Sequence, residues 1–414
     1  MRDMYNSKSV SYTTHQDLCS GCGICGSACI KNAISIDNIN GTFRPSVDNN
    51  ICKGCGRCLK TCPGIGVKLN ELSSSIFADD GIKEDKYIGR YLQCYKGNSN
   101  NPLLREKAAS GGVVSQFLIW LLENKKIDGA IVTRFNKDAP LKVCSLIART
   151  KDDVLSAKGS KYTPVSLHDA MAELNATEAG KYVVVGLPCH IQGVRKLMSI
   201  DKKLREKIYG TFSLFCSGSQ TFNYTEYILK QYGGNVVDLN YLAYRENSPT
   251  GMVAKGKGFE FFKEYRKYNV PLKATFYPKR CLLCVDMFGE LADVSFGDIH
   301  CDDPNEAGSG IDAVIVKSKE WQDLLNEAKA AGAITLNEIT TERMLHKRAM
   351  APVKKGRNAS FVELLKKLHL PAPEYDSKYN ARVNIKIGMR YIVMRTKQFI
   401  GNHRCLWFLL PKLK

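Results

Sequence analysis

Cysteine spacing constrains this chain more than any other feature. Two runs stand near its start, Cys19, Cys22, Cys25, Cys29 and Cys52, Cys55, Cys58, Cys62, each spaced C-x2-C-x2-C-x3-C. The second run repeats the first and is followed by Pro63. A 4Fe–4S cube needs four outside thiolates. A tight loop can deliver three, and the fourth has to come from elsewhere in the chain. Gly21, Gly23, Gly26, Gly54 and Gly56 let the backbone wrap closely around such a core. A zinc ribbon would use two C-x2-C pairs rather than two complete four-cysteine runs, and a disulfide framework belongs to short secreted chains.

The repeated spacing resembles that of bacterial two-cluster ferredoxins, in which the last cysteine of each run crosses to the other cube. That resemblance implies one cluster on Cys19, Cys22, Cys25 and Cys62, and another on Cys52, Cys55, Cys58 and Cys29.

Sixteen cysteines in 414 residues therefore read as ligands in a reducing cytoplasm. The start, Met1 to His15, is polar and has no apolar stretch of a secretory signal. No uninterrupted apolar run reaches the roughly 20 residues that span a bilayer. The formal net charge is +19, and nine Lys or Arg with no Asp or Glu lie between Ser377 and Lys414.

Beyond the cysteine runs the chain alternates. Helices are expected over Gly112–Lys125, from Cys189 through Met198, over Gln220–Tyr232 and over Lys319–Ala330. Strands are expected at Ile127–Arg134, Val143–Arg149, Tyr182–Leu187, Ile208–Cys216, Ala292–Phe296 and Ala313–Val316. This predicts an α+β ferredoxin-like module with two 4Fe–4S clusters, then an α/β catalytic domain with a largely parallel sheet, then a helical basic C-terminal tail. The boundaries are 1–70 for the ferredoxin module, 71–86 for a polar linker, 87–335 for the catalytic domain and 336–414 for the tail. Residues 244–277, rich in Lys, Gly and aromatics, read as hairpin and loop.

Four more cysteines fall near strand ends or in a loop: Cys189, Cys216, Cys281 and Cys284. In an open α/β sheet such ends border the ligand crevice. Spacing alone leaves three readings open: a third cubane, a four-cysteine zinc, or small buried core residues. Six short motifs occur in order: Ala109-Ser110-Gly111-Gly112, Lys158-Gly159-Ser160-Lys161-Tyr162, Gly186-Leu187-Pro188-Cys189, Leu214-Phe215-Cys216-Ser217-Gly218, Cys281-Leu282-Leu283-Cys284 and Ala292 through Asp298. Together they resemble the beta-subunit family of coenzyme F420 (deazaflavin) hydrogenases and dehydrogenases, over about residues 93–330. That family includes relatives of 7-hydroxymethyl chlorophyll a reductase, and the ferredoxin fusion also occurs in it.

The resemblance implies an iron–sulfur flavoprotein oxidoreductase. It passes electrons between clusters, FAD and an organic substrate or F420. The alternative is a non-catalytic electron-transfer subunit of a larger redox complex. It further implies a third 4Fe–4S cluster on Cys189, Cys216, Cys281 and Cys284, and FAD contacts at Ser110, Gly111, Gly112, Lys158, Ser160, Lys161 and Tyr162. The expected partners are a small-molecule substrate and an electron donor or acceptor protein, such as a ferredoxin or a hydrogenase-like subunit. The residues suit these roles: a Gly-rich helix start offers N–H groups to a phosphate, and Lys158 and Lys161 can neutralise a pyrophosphate. The role of Asp298 stays open.

Gly21 to Gly26 spells G-x-G-x-x-G, but inside a cluster loop with no preceding strand, so it is no dinucleotide fingerprint. Gly251 to Lys257 resembles a phosphate loop, but Gly258 stands where Ser or Thr belongs. No catalytic triad is visible, and His190 reads either as a proton donor or, preferably, as a capping or packing residue. In the tail, Ile385, Met389, Ile392, Phe399, Leu406 and Leu410 recur at helical spacing, with Arg382, Lys386, Arg390, Lys397 and Arg404 on a neighbouring face. Such a helix suits an anionic membrane surface, a partner subunit or docking on its own domain. The expected location is the cytoplasm, with a peripheral contact at the inner membrane face. No nucleic-acid motif accompanies the charge, so nucleic acid is not expected.

Overall fold

The computed structural model describes residues 8–136, 138–246, 250–299, 310–346, 350–377 and 379–413, so the first seven residues of the polar start lie outside it. Eight strands form the main sheet. Across it they run Ile334–Ile339, Gln93–Ser99, Asp312–Val316, Val294–Asp298, Ile208–Leu214, Tyr182–Gly186, Gly129–Phe135 and Val143–Ala148. The β-branched run Tyr182-Val183-Val184-Val185 sits near the middle and sends successive side chains to opposite faces. Val183 joins one apolar core and Val184 the other.

The sheet is mixed, which corrects the largely parallel sheet expected from strand–helix alternation. Only the four strands from Gly129–Phe135 to Val294–Asp298 run parallel. Both flanks are antiparallel. The reason lies in the connections. A short loop joins Gly129–Phe135 to Val143–Ala148, and no crossover helix separates them, so the second strand returns as a hairpin.

One face is covered by helices Val113–Glu123 and Lys319–Ala330, packed on Phe212, Phe296 and Val314. Trp321, Leu324, Leu325 and Ala328 follow helical spacing and all point inward. The other face carries helices His168–Ala176 and Pro188–Met198, with Ile24 and Leu69 of the cysteine-rich module in the same core. Pro188 at the first helical position pre-sets the start of its helix.

Two boundaries differ from expectation, and the hairpin expected within residues 244–277 is present as part of a larger sheet. The polar stretch read as a linker overlaps the helix Leu69–Ile76, which buries Leu69 and leads into buried Phe77. Serine and glutamate on its exposed side masked that apolar face. The proposed start of the tail, residue 336, falls inside the edge strand Ile334–Ile339. Residues 244–277 contain most of a three-stranded antiparallel sheet, Leu239–Glu246, Gly251–Gly256 and Phe259–Glu264. It shares a core with helix Phe222–Gln231 and tail residues Trp407, Leu410 and Leu413. Glycines and lysines interrupted the alternation that would have announced it.

The cysteine-rich module is fastened to the sheet domain by close backbone approach. Gly23 has φ +79°, and a Cβ there would lie 2.1 Å from Ser166 Oγ. Arg57 pairs with Asp201 at 2.9 Å. The tail adds the parallel pairing of Glu374–Tyr375 with Gly66–Val67.

Phe212 is fully buried, with ring centroids 4.9 Å from Trp321, 5.4 Å from Phe296 and 5.7 Å from Phe117. Phe212→Ala should lower the stability by about 3–5 kcal/mol, measured as a shift of the denaturant midpoint under anaerobic conditions.

Candidate functional site

Cys19, Cys22, Cys25 and Cys62 line one small cavity, together with Gly21 and Arg44. These are the four thiols that the ferredoxin resemblance groups together. Burial, then the neighbouring thiol of Cys62, pushes Cys22 up to about 12. Burial followed by Cys22, Cys19 and Cys62 raises Cys25 well above the ordinary thiol range. Four sulfurs this crowded cannot all ionise without a compensating cation, which a multi-iron core supplies. The N–H groups of Gly21 and Gly64 donate to Cys19 Sγ and Cys62 Sγ at 3.4 and 3.3 Å. The second group is more open. Burial raises the Cys58 thiol, with lesser upward effects from Cys29 and Cys52, while Cys55 is exposed.

Cys189, Cys216, Cys281 and Cys284 line a further cavity, placed where the parallel strands end. Cys189 lies just past Tyr182–Gly186 and Cys216 just past Ile208–Leu214, while the helical turn Lys279–Leu282 carries Cys281. Burial, then Cys22, then Cys216, Cys281 and Cys284, raises the Cys189 thiol well above its usual range. Cys22 of the inner group therefore adjoins this cavity, and Ser20 and Pro63 line both spaces. Among the described residues no three His, Cys, Asp or Glu side chains converge on a point that would hold a single ion. The thiols instead surround a space, whereas zinc ligands stand about 2.0–2.3 Å from one centre.

Two cations that line this cavity, Lys354 and Arg280, escaped the sequence reading, as did Lys355 beside one of them. Lys354, fully buried, donates from Nζ to Cys284 Sγ at 3.2 Å and to the Asp286 carbonyl at 2.9 Å. Burial opposes its charge, but the thiols of Cys284, Cys216 and Cys281 outweigh that and hold the ammonium above its usual range. Arg280 Nη2 donates to the Pro63 carbonyl at 2.8 Å and ties the two modules together. Lys355 pairs with buried Glu290 at 2.8 Å. Lys354 and Lys355 sit in a π-helical turn, Val353–Asn358. Such turns often mark functional sites, but nothing in their spacing announces one.

His190 is a capping residue. Its Nδ1 accepts from the Leu187 N–H at 3.0 Å, so Nε2 carries the proton toward the Val165 carbonyl at 3.1 Å. Burial lowers it to about 4, so the ring stays neutral.

The residues expected to contact FAD lie apart from both thiol-lined cavities. Electrostatic interactions join Asp312 to Asp298, and Asp298 and Arg245 to Tyr162. The open role of Asp298 has a partner here, Arg245 at 2.6 Å. Tyr162 lies against Tyr244 and Tyr265, with centroids 5.4 and 5.8 Å away. At the helix start, the Gly111 and Val113 N–H groups donate to Asp312 at 3.1 and 2.7 Å, and Ser110 Oγ donates to the Ile311 carbonyl. Those donors do not fit a phosphate, because a carboxylate already holds them. Lys161 likewise spends its ammonium on the carbonyls of Ala157, Lys158 and Gly159. Ser160 is half-buried in the same loop.

Comparison with known proteins gives three matches along the chain. Residues 18–64 match the 4Fe-4S dicluster domain. Residues 94–172 and 179–342 match the N-terminal and C-terminal parts of the coenzyme F420 hydrogenase/dehydrogenase beta subunit. The coenzyme F420 hydrogenase subunit beta of Methanosarcina barkeri is 27% identical over 265 residues, covering 62% of this chain and 85% of that protein. The coenzyme F420-dependent sulfite reductase of Methanocaldococcus jannaschii is 30% identical over 249 residues, covering 57% of this chain but only 37% of that protein. A chain in the F420-reducing NiFe hydrogenase complex of Methanosarcina barkeri shares the fold, with TM-score 0.56 and 23% identity over 70% of this chain and 98% of that one.

Burial pushes the Asp312 carboxyl from 3.8 up to about 6, against the pull of its N–H bonds. A raised folded value means that the folded state holds its proton more tightly. The resulting stability is present below pH 3.8 and is lost as pH rises through about 6. Denaturant midpoints should fall across that window by the equivalent of about 3 kcal/mol, and Asp312→Asn should flatten the slope.

Proposed function

The chain belongs to the coenzyme F420 hydrogenase/dehydrogenase beta-subunit family and carries a dicluster iron–sulfur module, and from that premise we propose that it is an iron–sulfur flavin oxidoreductase relaying electrons inward from the module. Cys19, Cys22, Cys25 and Cys62 would hold the inner cluster, and Cys29, Cys52, Cys55 and Cys58 the outer one. A third would sit on Cys189, Cys216, Cys281 and Cys284. When bound, such clusters supply one-electron transfer, and FAD supplies the exchange between single electrons and a hydride.

The observation that carries this reading is that Ser20 and Pro63 line both thiol cavities, with Cys22 on one side near enough to help raise the Cys189 thiol on the other. It gives the thiol groups an order. The outer group presents Cys55 to solvent, where a donor or acceptor protein has access. The inner group abuts the third cavity. Arg280 keeps the two modules in register, and Lys354 offsets thiolate charge where water is scarce. FAD would lie beside Tyr162, Arg245 and Asp298. Half-buried Lys158, whose backbone carbonyl receives Lys161, would turn its ammonium to the pyrophosphate. The substrate is an organic acceptor or F420 itself, as the names of the relatives suggest.

A second reading, a non-catalytic electron-transfer subunit, is favoured by the fold shared with one chain of a multi-subunit hydrogenase. Turnover of small acceptors by the purified chain alone decides between them. Activity that appears only after a partner subunit is added supports the second.

Anaerobically purified protein should hold about twelve irons and releasable FAD, and Cys216→Ala should leave about eight irons. A wild-type count of eight would remove the third cluster. In the same preparation, Lys354→Met should lower the midpoint of one cluster by roughly 60 mV, the one-electron equivalent of about 1.4 kcal/mol. Redox titration followed by electron paramagnetic resonance reads that shift.

A further inference from the structure

The helix Ile385–Asn402 has two faces with unlike environments. Its inner face is anchored: Ile387, Tyr391 and Met394 pack on the core of Phe361, with Tyr391 5.2 Å from that ring. Gln398 is buried and Gly401 presses on the Thr275 carbonyl. The face turned away is apolar rather than charged. Ile385 is 82% exposed and Ile392 64%, and Met389, Val393 and Phe399 are each more than half exposed. Ile385, Met389, Ile392 and Phe399 follow steps of three, four and seven residues, so they form one ridge along the helix. Lys386, Arg390 and Lys397 form the adjoining row, with no acidic partner among the described residues. A continuous apolar ridge of this kind marks a contact surface.

We propose that this ridge rests in the surface of an anionic lipid bilayer, with the basic row on the headgroups and the helix lying in the plane of the membrane. Charge decides against a second copy of the chain. From Ser377 to Lys414 there are nine Lys or Arg and no acid, so pairing two ridges would set like charges side by side. Repulsion is already visible locally: burial, and then Arg390, lowers the Arg357 guanidinium to about 10. An anionic surface relieves that crowding. The ridge does not cross a bilayer, since no helix among the described residues is long and apolar enough. Depth is limited by the docked inner face, so only the ridge enters the headgroup–acyl boundary, as amphipathic surface helices do.

The test is flotation of the full-length, anaerobically purified chain with phosphatidylcholine vesicles, with or without phosphatidylglycerol. Binding should require phosphatidylglycerol and should weaken as salt rises. Ile392→Glu, and separately the triple change of Lys386, Arg390 and Lys397 to Gln, should each weaken it at least about tenfold. Lys386→Arg should bind as wild type does. Unchanged circular dichroism and iron content would show that the exposed-site variants still fold. Absent binding, equal binding to both vesicle types, or a concentration-dependent dimer lost in Ile392→Glu would each overturn the proposal.

Discussion

Sulfur atoms gathered in a dry space repel one another as soon as they ionise, and much of this molecule is arranged around that fact. In the inner group, burial and neighbouring thiols drive Cys22 and Cys25 away from ionisation. The same holds for Cys189 and Cys281 in the sheet domain. Such thiols stay protonated unless positive charge at the centre and hydrogen-bond donors facing the sulfurs favour the thiolate. The chain provides the donors itself, through the backbone at Gly21 and Gly64 and through the ammonium of Lys354.

Delivering thiols to shared spaces dictates the architecture. Cys62 has to return to Cys19, so the module folds back on itself. Cys189 and Cys216 emerge from neighbouring parallel strands and are therefore close without any long excursion of the chain. Cys281 lies in the short turn Lys279–Leu282 and Cys284 just beyond it, and the turn is tied to the module through Arg280. The tail closes the arrangement from behind: Asn358 donates to the Cys284 carbonyl at 2.9 Å, and Tyr375 donates to the Leu283 carbonyl at 3.0 Å. What looks like an appendage in sequence is part of the wall.

Much of the fold was legible because apolar periodicity is a local property. Tyr182–Gly186, Ile208–Leu214 and the helix Lys319–Ala330 lie where their side-chain patterns put them. Strand direction was not legible. Whether Val143–Ala148 returns beside Gly129–Phe135 depends on the absence of a crossover between them, and on register, which has no local signature. The helix at residues 69–76 was hidden for a related reason, since its apolar face is narrow and its serines mimic a loop. The helix start at Ser110–Gly112 was readable as a turn. Its occupant, Asp312, lies some two hundred residues away and could not be inferred.

The amino-acid order by itself settled which residue types are present for iron–sulfur chemistry, and through six ordered motifs which family they belong to. Spacing carries that information because a cube's ligand loop is short and stereochemically narrow. Only the tertiary structure decided which thiols share a space, that Ser20 and Pro63 line both thiol cavities, that Lys354 and Arg280 supply the neighbouring charge, and which side of the last long helix is left bare. Those are relations between distant segments. They are fixed by packing and by the compensation of buried charge, and neither can be read from a window of neighbouring residues.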